Sequence, residues 1–251
     1  MNSTAILCAA LLCALPVAAQ TPSVTQTAPA ASCPDAAKVH HMETELDDWA
    51  QLNRYRVENA DLPPVGAGEQ RVVFMGDSIT DAWGHGANFF PDKPYFNRGI
   101  SGQTTPQMLV RFQQDVVALK PDVVIILAGT NDIAGNTGPS TPQMIEDNFV
   151  SMADIAHRSD IKVVIASILP AIAYPWRPGI APAEEIRTLN AWLKDFCSRD
   201  GDIYLDYYSA LADAQGGMGP GLSKDGVHPT AKGYAIMAPL AEKAIAEALG
   251  N

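Results

Sequence analysis

The stretch Asp122-Val123-Val124-Ile125-Ile126-Leu127-Ala128-Gly129-Thr130-Asn131-Asp132 decides the fold. After its first residue it is apolar up to Gly129, and four consecutive positions are β-branched. β-Branched side chains are stiff at χ1 and favour extended backbone. A run without polar alternation suits a central parallel strand covered on both faces. Gly129 then ends the run and hands over to three polar residues.

Similar signals recur on either side. Arg71 to Met75 reads as a strand ending at Gly76, Tyr95 to Asn97 as a short strand, Ile161 to Ile168 as another β-branched strand, and Ile203 to Leu205 as a last short one. Amphipathic stretches alternate with them. Thr104 to Leu119 carries Met108, Leu109, Phe112, Val116 and Leu119 at helical spacing. Thr141 to His157 has an N-cap threonine and Pro142 at the first helical position. Pro182 to Arg199 and Thr230 to Leu249 complete the set, the latter predicted to be interrupted at Pro239. Strand–helix alternation of this kind predicts an α/β three-layer sandwich with a central parallel sheet, in one domain over residues 71–251.

Upstream, Asp35 to Asn59 places Val39, Met42, Leu46, Trp49, Leu52 and Tyr55 at three- and four-residue steps. That predicts a helix packed on the domain, in an N-terminal extension over 35–70 that Leu62-Pro63-Pro64 breaks. Residues 20–34, rich in Thr, Ala, Pro and Gln, read as a disordered linker. Residues 1–19 read as a cleaved export signal: Ala5 to Val17 is apolar, and Val17-Ala18-Ala19 fits a small-x-small cleavage site. No Lys or Arg precedes the apolar run, which departs from the usual pattern. Leu7 and Leu12 precede Cys8 and Cys13, so neither cysteine has a lipoprotein box. Cleavage would leave Cys33 and Cys197, either a disulfide in an oxidising compartment or two thiols.

The net charge of −11, with no basic cluster, argues against nucleic acid and against docking on anionic lipid. No nucleic-acid partner and no stable membrane insertion are therefore expected. No cofactor is expected. Asp225 and His228 could ligate a metal, but no third ligand stands at matching spacing. The run Gly216 to Gly221 lacks the Lys-Ser/Thr ending of a phosphate loop.

The strand ends carry the chemistry. Ligands of open α/β sheets bind where parallel strands end. Gly76-Asp77-Ser78 follows the first strand, Asn97-Arg98-Gly99-Ile100-Ser101-Gly102 the second, and Gly129-Thr130-Asn131-Asp132 the third. Near the C-terminus stands Asp225-Gly226-Val227-His228-Pro229, the only one of the five histidines in such a context. A serine after a strand, with a distant Asp-x-x-His, is the ordered skeleton of a serine hydrolase. Ser78 alone would read as a helix N-cap, Asn131 as a turn cap, and His228 as an exposed turn residue.

Taken in order, the four blocks resemble the SGNH superfamily of esterases and lipases, also called GDSL hydrolases, from about Arg71 to the C-terminus. The resemblance implies a flavodoxin-like fold with Ser78 as nucleophile, His228 as general base and Asp225 as its orienter. It implies an oxyanion hole from Ser78 and Gly102 backbone N–H groups and the Asn131 amide. Gly102 rather than Gly99 aligns with the motif. The aromatic residues Trp83, Phe89, Phe90, Tyr95, Tyr174 and Trp176 fall in or near rim loops, where they either meet substrate or pack; Trp83, Tyr174 and Trp176 are the candidates for substrate contact. Arg177 could meet an anionic group. With no long hydrophobic lid, the expectation is an exported esterase for short acyl esters, with acetyl esters of carbohydrates among the candidates. Lysophospholipase, thioesterase and arylesterase are alternatives in the superfamily. A non-catalytic carbohydrate- or acyl-binding module is the alternative of another class.

Overall fold

A computed structural model describes residues 35–84 and 89–250. In chain order these form α1 (Ala36–Asp47), α2 (Arg56–Ala60), β1 (Val72–Gly76), α3 (Ser78–Asp81), β2 (Tyr95–Gly99), α4 (Thr105–Asp115) and, after a 3₁₀ turn at Val117–Leu119, β3 (Val123–Leu127). Then follow α5 (Thr130–Ile133), α6 (Pro142–His157), β4 (Lys162–Ala166), α7 (Ala183–Asp200), β5 (Ile203–Leu205), α8 (Tyr208–Leu211) and α9 (Ala231–Leu249).

The five strands make one sheet in the order β2-β1-β3-β4-β5, with every pairing parallel. The Asp122–Ala128 run lies at its centre. Because side chains alternate across a strand, β1 and β3 feed two cores. Val73, Met75, Val124 and Ile126 pack with Met108 and Phe112 of α4, Phe149 of α6 and Leu189 of α7. Val72, Phe74, Val123 and Ile125 pack on the other face with Met237, Ala241 and Ile245 of α9. The fold is the three-layer α/β sandwich expected. Its strand order is that of flavodoxin-like sheets, whose switch point falls between β1 and β3.

Three expectations need correction. The helix expected over 35–59 is two helices. Its chain turns at Asp48, whose carboxylate accepts the N–H groups of Leu52 at 2.7 Å and Asn53 at 3.0 Å, and Gln51 takes a left-handed φ of 53°. With the stripe broken, Met42, Leu46, Trp49 and Leu52 are exposed, and Tyr55 alone of the six is buried. Second, α9 runs unbroken through Pro239. This proline lies on the exposed face, where water can satisfy the carbonyl it deprives of a donor. Third, the helix that follows β1 is capped by Asp77, with Ser78 as its first residue, and the short helices α5 and α8 have no counterpart in the sequence reading.

Cys197 is buried with a free thiol, which burial pushes up to about 12. Cys33, its possible disulfide partner, lies outside the described residues, as do the expected signal (1–19) and linker (20–34). Among the described residues no helix is long and apolar enough to cross a membrane.

Candidate active site

At the C-terminal edge of the sheet, β1 and β3 end side by side, Gly76 paired with Leu127. The chain leaves β1 toward β2 on one side, and leaves β3 toward β4 on the other. Ser78 starts α3 in the crevice this divergence opens. Asp77 caps that helix, its Oδ1 accepting the Ile79 N–H at 2.9 Å. The backbone of α3 lies against the end of β2: a Cβ on Gly99 would stand 2.1 Å from the Asp81 nitrogen, so only glycine fits there. Gly99 therefore serves packing. Gly102 has a φ of +81° with open space where a Cβ would be, so its demand is conformational.

His228 reaches the crevice from the loop before α9. Its Nε2 is 2.8 Å from Ser78 Oγ, and its Nδ1 is 2.6 Å from Asp225 Oδ2. Asp225 Oδ1 also accepts the N–H groups of Val227 at 2.9 Å and His228 at 2.8 Å. Partial burial works against the charge of Asp225. The hydrogen bonds from the His228 ring and from these two N–H groups outweigh it and hold the carboxyl well below the usual range. An imidazole held by an ionised carboxylate on one nitrogen presents the other to the serine as an acceptor, the arrangement that removes a hydroxyl proton.

Ser78, Gly102, Asn131, Asn136, Trp176 and His228 line one cleft of about 250 Å³. Five of these six were singled out from sequence; Asn136 was not. Asn131 sits on α5, its Nδ2 3.0 Å from the Gln103 carbonyl and 3.4 Å from Asp77 Oδ2. Asp77 and Asp132 hold loops. Asp132 accepts the Thr105 N–H at 3.0 Å and the Thr105 hydroxyl at 2.6 Å, tying α5 to the start of α4. Burial lifts Asp77 to about 7 and Asp132 to about 6.

The three aromatic candidates part company. Trp176 lines the cleft, its ring centroid 6.1 Å from that of His228. Tyr174 is buried behind it, the two rings stacked at 5.1 Å. Tyr174 thus supports the wall without reaching the cleft. Trp83 does not line the cleft: it is buried against Phe74, Phe90 and Tyr234, with centroids 5.0 to 6.0 Å away. The short α3 turns its side chain onto the second core. Arg177 donates to the Gly135 carbonyl at 2.8 Å, so its guanidinium braces a loop. Among the described residues no group of three or more His, Cys, Asp or Glu could hold a metal ion.

The candidate site thus stands at the switch point of a parallel α/β sheet, where ligands of such folds bind. The chain belongs to the GDSL-like lipase/acylhydrolase family, whose model matches residues 74–236. It is 44% identical to a candidate acylhydrolase of Bacteroides fragilis NCTC 9343, whose crystal structure superposes with a TM-score of 0.79 over 80% of this chain and 99% of that one. It is 42% identical to a GDSL-like lipase of Bacteroides thetaiotaomicron VPI-5482, with a TM-score of 0.77 and the same coverage. Among curated proteins it is 26% identical over 206 residues to an acetylxylan esterase of Geobacillus stearothermophilus, covering 69% of this chain and 92% of the relative. It is also 31% identical over 129 residues to the uncharacterized lipoprotein YqeF of Bacillus subtilis, covering 43% of this chain and 51% of that protein. The chain thus spans about half the length of this lipoprotein.

Proposed function

We propose that the protein is an exported serine esterase that removes short acyl groups, with acetyl esters of carbohydrates as the favoured substrates. The observation that supports this best is the hydrogen-bonded series Ser78–His228–Asp225 opening on a cleft lined by Gly102 and Asn131. Ser78 Oγ attacks the ester carbonyl while His228 Nε2 takes its proton. Asp225 stabilises the imidazolium. Charge gathers on the former carbonyl oxygen, which accepts from the Ser78 and Gly102 N–H groups and the Asn131 amide. His228 returns the proton to the leaving alcohol, and water attacks the acyl-enzyme by the same route.

The small cleft, bounded by Trp176, supports a short acyl group over a long chain. The likeness to an acetylxylan esterase supports a sugar as the alcohol, and Trp176 offers an aromatic face on which a sugar ring can stack. Export rests on the reading of residues 1–19 as a signal, in keeping with a lipoprotein among the relatives. N-terminal sequencing of the secreted protein tests it, with a new terminus at Gln20 expected and retention of Met1 against it.

The test of the chemistry is hydrolysis of p-nitrophenyl esters from acetate to palmitate by wild type and Ser78→Ala, followed by acetylated xylo-oligosaccharides. Activity confined to short esters and lost in the variant, with fluorophosphonate labelling at Ser78, is the expected result. Full activity in Ser78→Ala overturns the mechanism. Equal rates on palmitate and acetate overturn the acyl preference.

A further inference from the structure

Asn136 is the lining residue that the mechanism above leaves without a role. It stands in the loop after α5, and its side chain touches three parts of the cleft. The Trp176 indole Nε1 donates to its Oδ1 at 3.0 Å. Its Nδ2 donates to Asn131 Oδ1 at 2.8 Å and to the Gly102 carbonyl at 3.2 Å. An indole N–H is a donor and never an acceptor, so it decides which end of the Asn136 amide faces it. The amide nitrogen must then face Asn131, which in turn offers its own oxygen. The far end agrees: Asn131 Nδ2 lies 3.0 Å from the Gln103 carbonyl, which can only accept. Two one-way groups, an indole N–H and a peptide carbonyl, therefore fix the sense of both amides between them.

The geometry points to Asn136 as a positioning residue of the oxyanion hole, oriented by Trp176. It rests on the reading of Gly102 and Asn131 as oxyanion donors. One side chain holds both of them. It grips Gly102 by its carbonyl, anchoring the peptide that follows this φ +81° position and so restraining the glycine that lines the cleft, and it keeps the Asn131 nitrogen turned away from itself. One Asn131 N–H is spent on Gln103. The other has only the long 3.4 Å contact to Asp77 Oδ2, which a developing oxyanion can displace. An inverted Asn131 would present a carbonyl oxygen to the negative charge. Trp176 thereby carries two tasks: its face bounds the cleft, and its N–H sets the polarity of the donors behind it.

The test compares Asn136→Ala, Asn136→Asp and Trp176→Phe with wild type on p-nitrophenyl acetate, together with inhibition by phenylboronic acid, whose tetrahedral serine adduct occupies the oxyanion hole. Asn136→Ala is expected to lower kcat about 10- to 100-fold, below the effect of deleting a donor outright, with KM changed less than about threefold. Asn136→Asp is expected to be worse: its carboxylate still accepts from Trp176 but has no N–H for Asn131 Oδ1, and so favours the inverted amide. Boronate affinity should fall in step with kcat/KM. Trp176→Phe keeps the ring and loses the N–H. It should lower kcat in wild type and add little on the Asn136→Ala background, because the two act through one chain. Wild-type kcat in Asn136→Ala overturns the proposal, as does a pure KM effect or an Asp variant no worse than the Ala variant. If the Asn136 variants do not fold, an unchanged kcat in Trp176→Phe overturns the orientation by Trp176. Loss of all activity and labelling in wild type would instead strike the esterase reading itself, which Ser78→Ala tests separately.

Discussion

The hydroxyl of Tyr234, on α9, donates to the carbonyl of Ile79 at 2.8 Å across 155 residues of sequence. Ile79 is the residue after Ser78, and its carbonyl lies in a helix of only four residues, too short to satisfy its own C-terminal acceptors. The helix α9 thus holds the turn that carries Ser78. Since α9 begins just after His228, the loop leading into it carries the proposed base, and the helix itself steadies the turn of the proposed nucleophile.

Tyr234→Phe should therefore leave a buried carbonyl unpaired and cost about 1–3 kcal/mol of stability. The midpoint of urea unfolding measures this. kcat should fall as well, because the Ser78 turn loses a constraint; an unchanged midpoint would show that water replaces the bond.

Asp225→Asn should lower kcat by about 10⁴-fold while leaving the fold intact. An amide keeps an oxygen for the Val227 and His228 N–H groups, but it neither stabilises an imidazolium nor enforces the ring tautomer. Steady-state kinetics alongside thermal melting checks both halves. Activity within tenfold of wild type would argue that another group orients His228.

The pH dependence of stability follows from two buried carboxyls. Burial lifts Asp77 to about 7 and Asp132 to about 6, whereas an unfolded aspartate titrates near 3.9. The folded chain therefore holds these protons more tightly than the unfolded one. Their contribution is fully present below about pH 4 and is lost as pH rises through about 6 and 7. The melting temperature should decline between about pH 4 and about pH 7 through these groups. Asp77→Asn keeps an oxygen for the Ile79 cap and removes one titration, so its decline should be shallower. Parallel slopes would count against the shift at Asp77.

The segment 49–59 should prove inseparable from the site. Gln103 Nε2 donates to the Ala50 carbonyl at 2.8 Å, Gln107 Nε2 to that of Trp49 at 2.6 Å, and the Tyr55 hydroxyl to that of Gly99. Asn59 Nδ2 donates to Asp115 Oδ1 at 2.7 Å, and Asn59 Oδ1 accepts from Arg98 Nε at 2.8 Å. Through Gln103, whose own carbonyl holds Asn131, this strap reaches the proposed oxyanion hole. A chain beginning at residue 35 should be as active as the full one, and a chain beginning at residue 71 should lose stability and kcat together. Full activity from residue 71 would show the strap to be dispensable.

What the sequence by itself determined is local in origin. The Val/Ile runs of β1, β3 and β4 fix strand and burial because stiff apolar side chains on both faces leave no exposed side. The glycine, proline and capping residues at Gly76-Asp77, Gly129 and Thr141-Pro142 mark strand ends and helix starts by backbone chemistry alone. Together these sufficed for the strands and for a rim of loops at their ends; Ser78, Gly102, Asn131, Asp225 and His228 were singled out by the order of their motifs and the family resemblance, and the switch point came with the strand order of the folded sheet. Only the tertiary structure decided which aromatic meets the cleft. Trp83 and Trp176 each stand in the connection that follows a strand, yet α9 covers one with Tyr234 and leaves the other open. It alone revealed Asn136, an asparagine in a glycine-rich loop that is indistinguishable from a turn residue until Trp176, 40 positions onward, lays its indole N–H against it. It also turned Met42, Leu46, Trp49 and Leu52 outward while burying Tyr55, because the chain turns at Asp48 and the strap is held by side-chain bonds to peptide carbonyls. Such bonds join residues some 50 apart, and the identity of a carbonyl's neighbour is written in no local pattern.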